Sequence, residues 1–243
     1  MSKNRVSTVI GELLLTIGVI LLLFAFYEAY WTNLESDRLQ EKASEKLETQ
    51  WHNPRGKLHP KLGEAFARMY IPTFGSDFQF AIVEGTQEEE LLRGPGRYTD
   101  SQMPGELGNF AVAGHRVGKG APFNDLANLE TCDAIVVETQ SEWITYRVLP
   151  IDGAPADCFS PEQKAKPEYQ GLSGRHITLP GDVGVIAPVP GWDTPVEQAS
   201  EALLTLTTCH PQFSNAERMI VHAMEVAHEP KVEGKTPAVL EEG

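Results

Sequence analysis

Leu203–Met224 reads LLTLTTCHPQFSNAERMIVHAM. Two runs rich in Leu, Ile, Val and Thr are separated by a break at HPQFSNAE. Residues of this kind suit the half-buried pleat of a strand, and the Pro, Ser and Asn between them interrupt it. The first run ends on Cys209 and the second opens on Arg218. Working outward, the same texture recurs at RMYIPTF, FQFAIVE, NFAVAGH, AIVVET, WITYRVL, HITLP and VGVIAPV, punctuated by RGPGR, MPGELG, GKGAP and LSGRH. Many short strands with little helical periodicity predict an all-β domain, a closed or nearly closed antiparallel barrel or a sandwich. The segment Pro150–Arg175 reads as a long loop with at most one helical turn, and loops of that length tend to be functional.

The first sixty residues differ. VSTVIGELLLTIGVILLLFAFYEAYW (Val6–Trp31) has the length and apolarity of a helix that crosses a bilayer. Glu12 and Glu28 bracket its apolar centre, and Tyr27, Tyr30 and Trp31 form an aromatic cluster at its downstream end. Lys3 and Arg5 precede it, whereas Asn33–Glu48 carries five acids against three bases. This asymmetry puts residues 1–5 in the cytoplasm, the anchor at 6–31 and everything after it outside the cell. No small-x-small site follows the core, which argues for an uncleaved anchor. Residues 32–60 then read as a polar helical spacer and a linker, 61–228 as the functional domain, and 229–243 as a disordered tail.

A net charge of −14 lacks the basic patch that phosphate binding requires, so nucleic acid is excluded as a partner. Of three cysteines, Cys132 and Cys158 flank the AIVVET/WITYRVL pair. Their pairing cannot be read from sequence, but if they pair, Cys209 is the single free thiol.

A lone cysteine at a strand end is ordinarily a small buried hydrophobe. As a nucleophile it would need a partner that stabilises its thiolate and a donor for an oxyanion. His210 is adjacent, but successive strand residues point to opposite faces. His52, His59 and His228 lie in the linker or beside the tail. His222 shares a face with Arg218 and Ile220 and suits a packed position. His115 is the strongest candidate, because it ends NFAVAGH and a Gly-rich turn follows it. No CxxC or HxxxH spacing supports a metal, and no cofactor is implied.

TLTTC (Thr205–Cys209), NAERMIVHA with Arg218, and NFAVAGHR with His115 resemble, in the right order, the signatures of the sortases, membrane-anchored cysteine transpeptidases of Gram-positive bacteria. PGELGNFAVAGHR, GAPFNDL and VIAPVPG look most like the actinobacterial class E type. The resemblance implies an eight-stranded closed barrel with short helices, one N-terminal transmembrane helix ahead of it, and no cofactor. It implies that Cys209 attacks the Thr–Gly carbonyl of a C-terminal LAxTG- or LPxTG-like sorting signal on an exported protein. A protonated His115 would assist the departing amine, Arg218 would hold the oxyanion, and Thr208 would touch the substrate. The acceptor would be the amine of a lipid-linked peptidoglycan precursor. Class E members commonly carry Tyr in GHRxxYG, where this chain reads GHRVGKG; Lys119 therefore stands as a second substrate-binding candidate that sets signal choice. The alternatives are a pilin-polymerising sortase, disfavoured by the lack of an upstream lid or C-terminal membrane segment, and a non-catalytic membrane-tethered binding module.

Overall fold

The computed structural model describes residues 2–27, 31–52, 60–193 and 195–242; Glu28, Tyr30 and the linker at 53–59 lie outside these. Helix α1 (Ser2–Phe26) contains a 22-residue stretch, Arg5–Phe26, long and apolar enough to cross a bilayer and with no part buried. Helix α2 (Thr32–Trp51) was expected to be a spacer, but it lies against the barrel. Leu47 is fully buried with Ala65, Ala81 and Val83, and Arg68 bonds Glu48 at 2.9 Å while stacking over Trp51. The Ala43/Leu47 spacing supplies the apolar stripe for this contact, and burying a Leu stabilises by about 1.5–3 kcal/mol.

Nine strands follow: β1 (Ala65–Tyr70), β2 (Gln79–Glu84), β3 (Gly96–Arg97), β4 (Gly108–Ala113), β5 (Ala134–Glu138), β6 (Glu142–Val148), β7 (Arg175–Thr178), β8 (Ala202–His210) and β9 (Glu217–Pro230). Eight of them close a ring in the order β6-β5-β1-β2-β3-β4-β8-β9, sealed where β6 pairs with the second half of β9. The first half of β9 pairs instead with β7, in line with β6. The ring is not purely antiparallel: β4–β8 and β2–β3 run parallel. Phe110, Val112, Leu204, Leu206, Met219, Val221 and Ala223 point into a core they share with Ile82, Ile135 and Tyr146. Alternation therefore sends Ala113, Thr205, Thr207, Cys209, Arg218, Ile220 and His222 to the outer face.

Four local expectations change. RGPGR contains β3, too short for any period to show; the buried Arg97 holds Glu84 through contacts of 2.8 and 2.6 Å. VGVIAPV is not a strand but a 3-10 turn at Val183–Ile186, fastened by Asn109 Nδ2 to the carbonyls of Val185 and Ala187 at 3.3 and 2.9 Å. Pro150–Arg175 holds two short helices, α4 (Pro161–Ala165) and α5 (Pro167–Gln170). The stretch expected to be a disordered tail is placed on the barrel by charge pairs rather than by apolar periodicity. Lys231 meets Glu138 at 2.7 Å, and Arg147 grips Glu242 at 2.7 and 3.0 Å.

Cys132 and Cys158 form a disulfide with Cα atoms 5.8 Å apart, tying the β6–β7 lobe to the start of β5. Closing a loop across 26 residues of separation restricts the unfolded chain by about 3–4 kcal/mol in the chain-entropy treatment. The Cys132→Ser/Cys158→Ser pair is expected to lose stability of that order in denaturant unfolding. Alkylation of the unreduced, unfolded protein should modify one cysteine; three modified cysteines would remove the bridge.

Candidate active site

The position of Cys209 follows from strand register. In β8 and β9 it lies directly opposite Arg218, so the two side chains leave the sheet on the same outer face. On the other side of β8, the parallel β4 pairs residue for residue up to Ala113 opposite Thr207, and Gly114 N–H continues the ladder to the Thr207 carbonyl at 3.1 Å. Two residues further along each strand are His115 and Cys209. Three adjacent strands thus deliver His115, Cys209 and Arg218 side by side at one end of the barrel.

Each is held by its surroundings. The His115 carbonyl accepts from Phe123 N–H at 3.0 Å. Gly114 permits this, because a Cβ there would meet the Phe123 ring. Burial pushes the half-buried His115 imidazole below its ordinary pKa, and its Nε2 has no hydrogen-bond partner among the described residues. Burial therefore disfavours the charged ring while the site is at rest. Cys209 is partly exposed, carries the free thiol, and its Sγ donates to Asn215 Oδ1 at 3.4 Å. Arg218 Nη1 donates to the carbonyls of Glu217 and Asn215 at 2.9 and 3.4 Å, which fixes the guanidinium beside the thiol. An accessible thiol, an imidazole and a permanent cation form the set that nucleophilic thiol catalysis requires.

Of the two expected substrate contacts, Thr208 turns away from the outer face and Lys119 stays in the loop beside His115. Thr208 is 2% exposed, faces the barrel interior, and donates its hydroxyl to the Gly114 carbonyl at 2.8 Å. Period-two alternation puts it on the face opposite Cys209, so it braces the peptide leading into His115 instead of meeting a substrate. Thr207 takes the outward place, bonded to Tyr98 Oη at 2.9 Å, and lines a cleft of about 90 Å³ with Arg218, Val183 and Val185. Lys119 lies in the loop after His115 and forms an ion pair with Glu88 of the short helix α3 (Glu88–Leu91). A larger cavity, about 410 Å³, opens between the β6–β7 lobe and Leu149 and Met224, and contains none of the three aligned residues.

Sequence reasoning missed Arg116, which is buried and donates to the Cys209 carbonyl at 3.3 Å and to His210 Nδ1 at 2.6 Å. Its signal was its place beside His115. It missed Asn215, and also the buried row beneath the site. Thr205 Oγ1 donates to Asn109 Oδ1 and meets His222 Nδ1, both at 2.8 Å. Burial, reinforced by the His176 ring 5.4 Å away, pushes His222 down to about 3, so it is a neutral packed histidine. Among the described residues, no group of three or more His, Cys, Asp or Glu is placed to hold a metal ion.

Residues 69–226 match the family model described as Sortase domain. The chain is 33% identical over 247 residues to Sortase SrtE1 of Streptomyces coelicolor, covering 96% of this chain and 61% of that protein. It is 31% identical to Sortase SrtE2 of the same organism, covering 95% of this chain and 86% of the relative. Among solved structures, the SrtF sortase from Corynebacterium diphtheriae shares 60% identity with a TM-score of 0.73, covering 79% of this chain and 98% of that one.

Proposed function

Because this chain belongs to the sortase family of cysteine transpeptidases, we propose that it cleaves a C-terminal LAxTG- or LPxTG-like sorting signal between Thr and Gly and transfers the protein to an amine. The observation that supports this is the alignment of His115, Cys209 and Arg218 on one outer face of β4, β8 and β9. Cys209, as thiolate, attacks the Thr carbonyl carbon. Arg218 offers N–H donors to the oxyanion, where a fixed cation is worth most because it needs no reorganisation. Collapse of the tetrahedral intermediate breaks the Thr–Gly bond, and His115, protonated as the thiolate forms, gives its proton to the departing glycine amine. An incoming amine then attacks the thioester, His115 takes up its proton, and the thiolate leaves. The amine of a lipid-linked peptidoglycan precursor is the acceptor in this reading. Helix α1 anchors the enzyme with its N-terminus in the cytoplasm and the barrel outside.

Incubating the purified full chain with a sorting peptide and no amine should give a Cys209 adduct whose mass ends at the Thr acyl group. Hydroxylamine should release it as the hydroxamate, and Cys209→Ala should form none. A chain that forms no thioester with either peptide would overturn the reading.

Signal choice is assigned to the loop after His115. The Lys119–Glu88 pair is exposed, so replacing it disturbs stability little. Lys119→Tyr is expected to shift the ratio of LAxTG to LPxTG turnover toward LAxTG. Identical ratios in variant and wild type would remove Lys119 from recognition.

A further inference from the structure

The end of the barrel that carries Cys209 leaves large apolar side chains in water on both sides of the cleft. Phe213, in the turn between β8 and β9, is 89% exposed; Leu179 and Val183, after β7, are 68% and 73% exposed. Gln212 Nε2 bonds Asn124 Oδ1 at 2.8 Å, so the Phe213 turn sits against the loop after His115. Leu179 and Val183 line the small cleft with Arg218. Apolar groups gathered at one place on a surface mark a contact that covers them.

Helix α2 says what lies at that end. Its first turn touches the loop after His115: Gly120 N–H donates to Asn33 Oδ1 at 3.2 Å, and Thr32 Oγ1 is 3.7 Å from where a Cβ on Gly118 would sit. Its last residue, Trp51, is at the opposite end, accepting from Gln140 at its carbonyl and carrying Lys231 Nζ 4.1 Å above its ring, just past the end of β9. The 20 residues of α2 therefore run about 30 Å from the cleft end to the far end. Helix α1 ends at Phe26, six positions before Thr32, and six residues reach about 20 Å at most. The membrane end of α1 is thus tethered beside the catalytic cleft and far from the opposite pole.

We propose that this end is a membrane-contacting surface, with Phe213 on one side and Leu179 and Val183 on the other seated in the interface of the bilayer that α1 enters. The inference rests on the reading of α1 as an anchor. The cleft then opens onto the membrane surface, where lipid-held acceptors and substrates are presented. Asp182 and Glu217 occupy this end together with Arg218 and Lys119, so charges of both signs are mixed there. The contact is therefore apolar rather than a charge attraction, and it should persist at high salt and without anionic lipid.

The test uses the full chain in vesicles of phosphatidylethanolamine and phosphatidylglycerol, in a Cys209→Ala background with Cys132 and Cys158 disulfide-bonded. An environment-sensitive fluorophore is attached through Phe213→Cys or, at the far end, through the exposed Glu229→Cys. Interfacial side chains reach into the headgroup boundary, so a quencher carried on the lipid should reduce emission at 213 by about twofold or more and leave 229 unchanged. Vesicle-bound protein with equal, weak quenching at both positions would overturn the proposal. So would a probe at 213 hidden from both lipid-borne and water-borne quenchers, because a protein surface would then cover it. Protein that fails to float with vesicles after an alkaline wash would remove the anchor and this inference together.

Discussion

Replacing Cys209 with Ser is expected to lower transpeptidation by about 10⁴-fold or more, the range seen when a catalytic nucleophile is lost. The reason lies in the partners. A serine hydroxyl needs a base to take its proton at the moment of attack, whereas a thiolate needs only neighbouring positive charge. The site supplies charge: Arg218 stands directly opposite Cys209, held by the carbonyls of Glu217 and Asn215. No carboxylate is hydrogen-bonded to His115 to strengthen it as a base; its carbonyl is bound by Phe123 and its Nε2 has no partner among the described residues. Cys209 is partly exposed and its side chain makes a single long hydrogen bond, so the melting temperature should hold within about 2 °C. Single-turnover acylation with a fluorogenic sorting peptide, read beside a melting curve, checks both halves. A serine variant within tenfold of wild type would show that the site works by base-activated attack and not through a thiolate.

The barrel was legible because its strands are short runs rich in Val, Ile, Leu and Thr, set apart by Gly- and Pro-containing turns. In LLTLTTC and RMIVHAM the inward set (Leu204, Leu206, Met219, Val221) and the outward set (Thr205, Thr207, Ile220, His222) separate cleanly. The two-residue β3 has no period to show, and its contribution is a tertiary ion pair between Arg97 and Glu84. VGVIAPV misled because an unbroken apolar run carries no period either; it is a turn because Asn109, far away in sequence, takes two of its carbonyls. Cys209, His115 and Arg218 were found through motifs, but the same alternation that set His210 aside should also have set Thr208 aside. One-residue steps along β8 change faces, so the motif's last threonine points at the core. The seat of α2 could not be read, since its stripe of Ala43 and Leu47 matches a packed helix and a weakly amphipathic spacer equally well.

Removing the His115 side chain is expected to lower kcat/KM by about 10²–10⁴-fold, the usual worth of a positioned acid and base. The alanine variant should also lose the acid limb of the pH profile. Burial holds the imidazole below its ordinary pKa of 6.5, so the free enzyme carries it neutral at pH 7 and protonates it only as the pH falls below 6.5. The acid limb therefore belongs below that value, with deprotonation of the active pair closing the bell on the alkaline side. The same sign governs stability. A lowered folded-state pKa means that the unfolded chain binds the extra proton, so the contribution of His115 is present above pH 6.5 and fades as the pH drops beneath it. His222, at about 3, acts in the same direction over a wider range. Melting temperatures must accordingly be recorded at each pH, and only the limb at pH values where the fold persists counts. An alanine variant that keeps this limb would assign it to another group and leave the amine proton without its carrier.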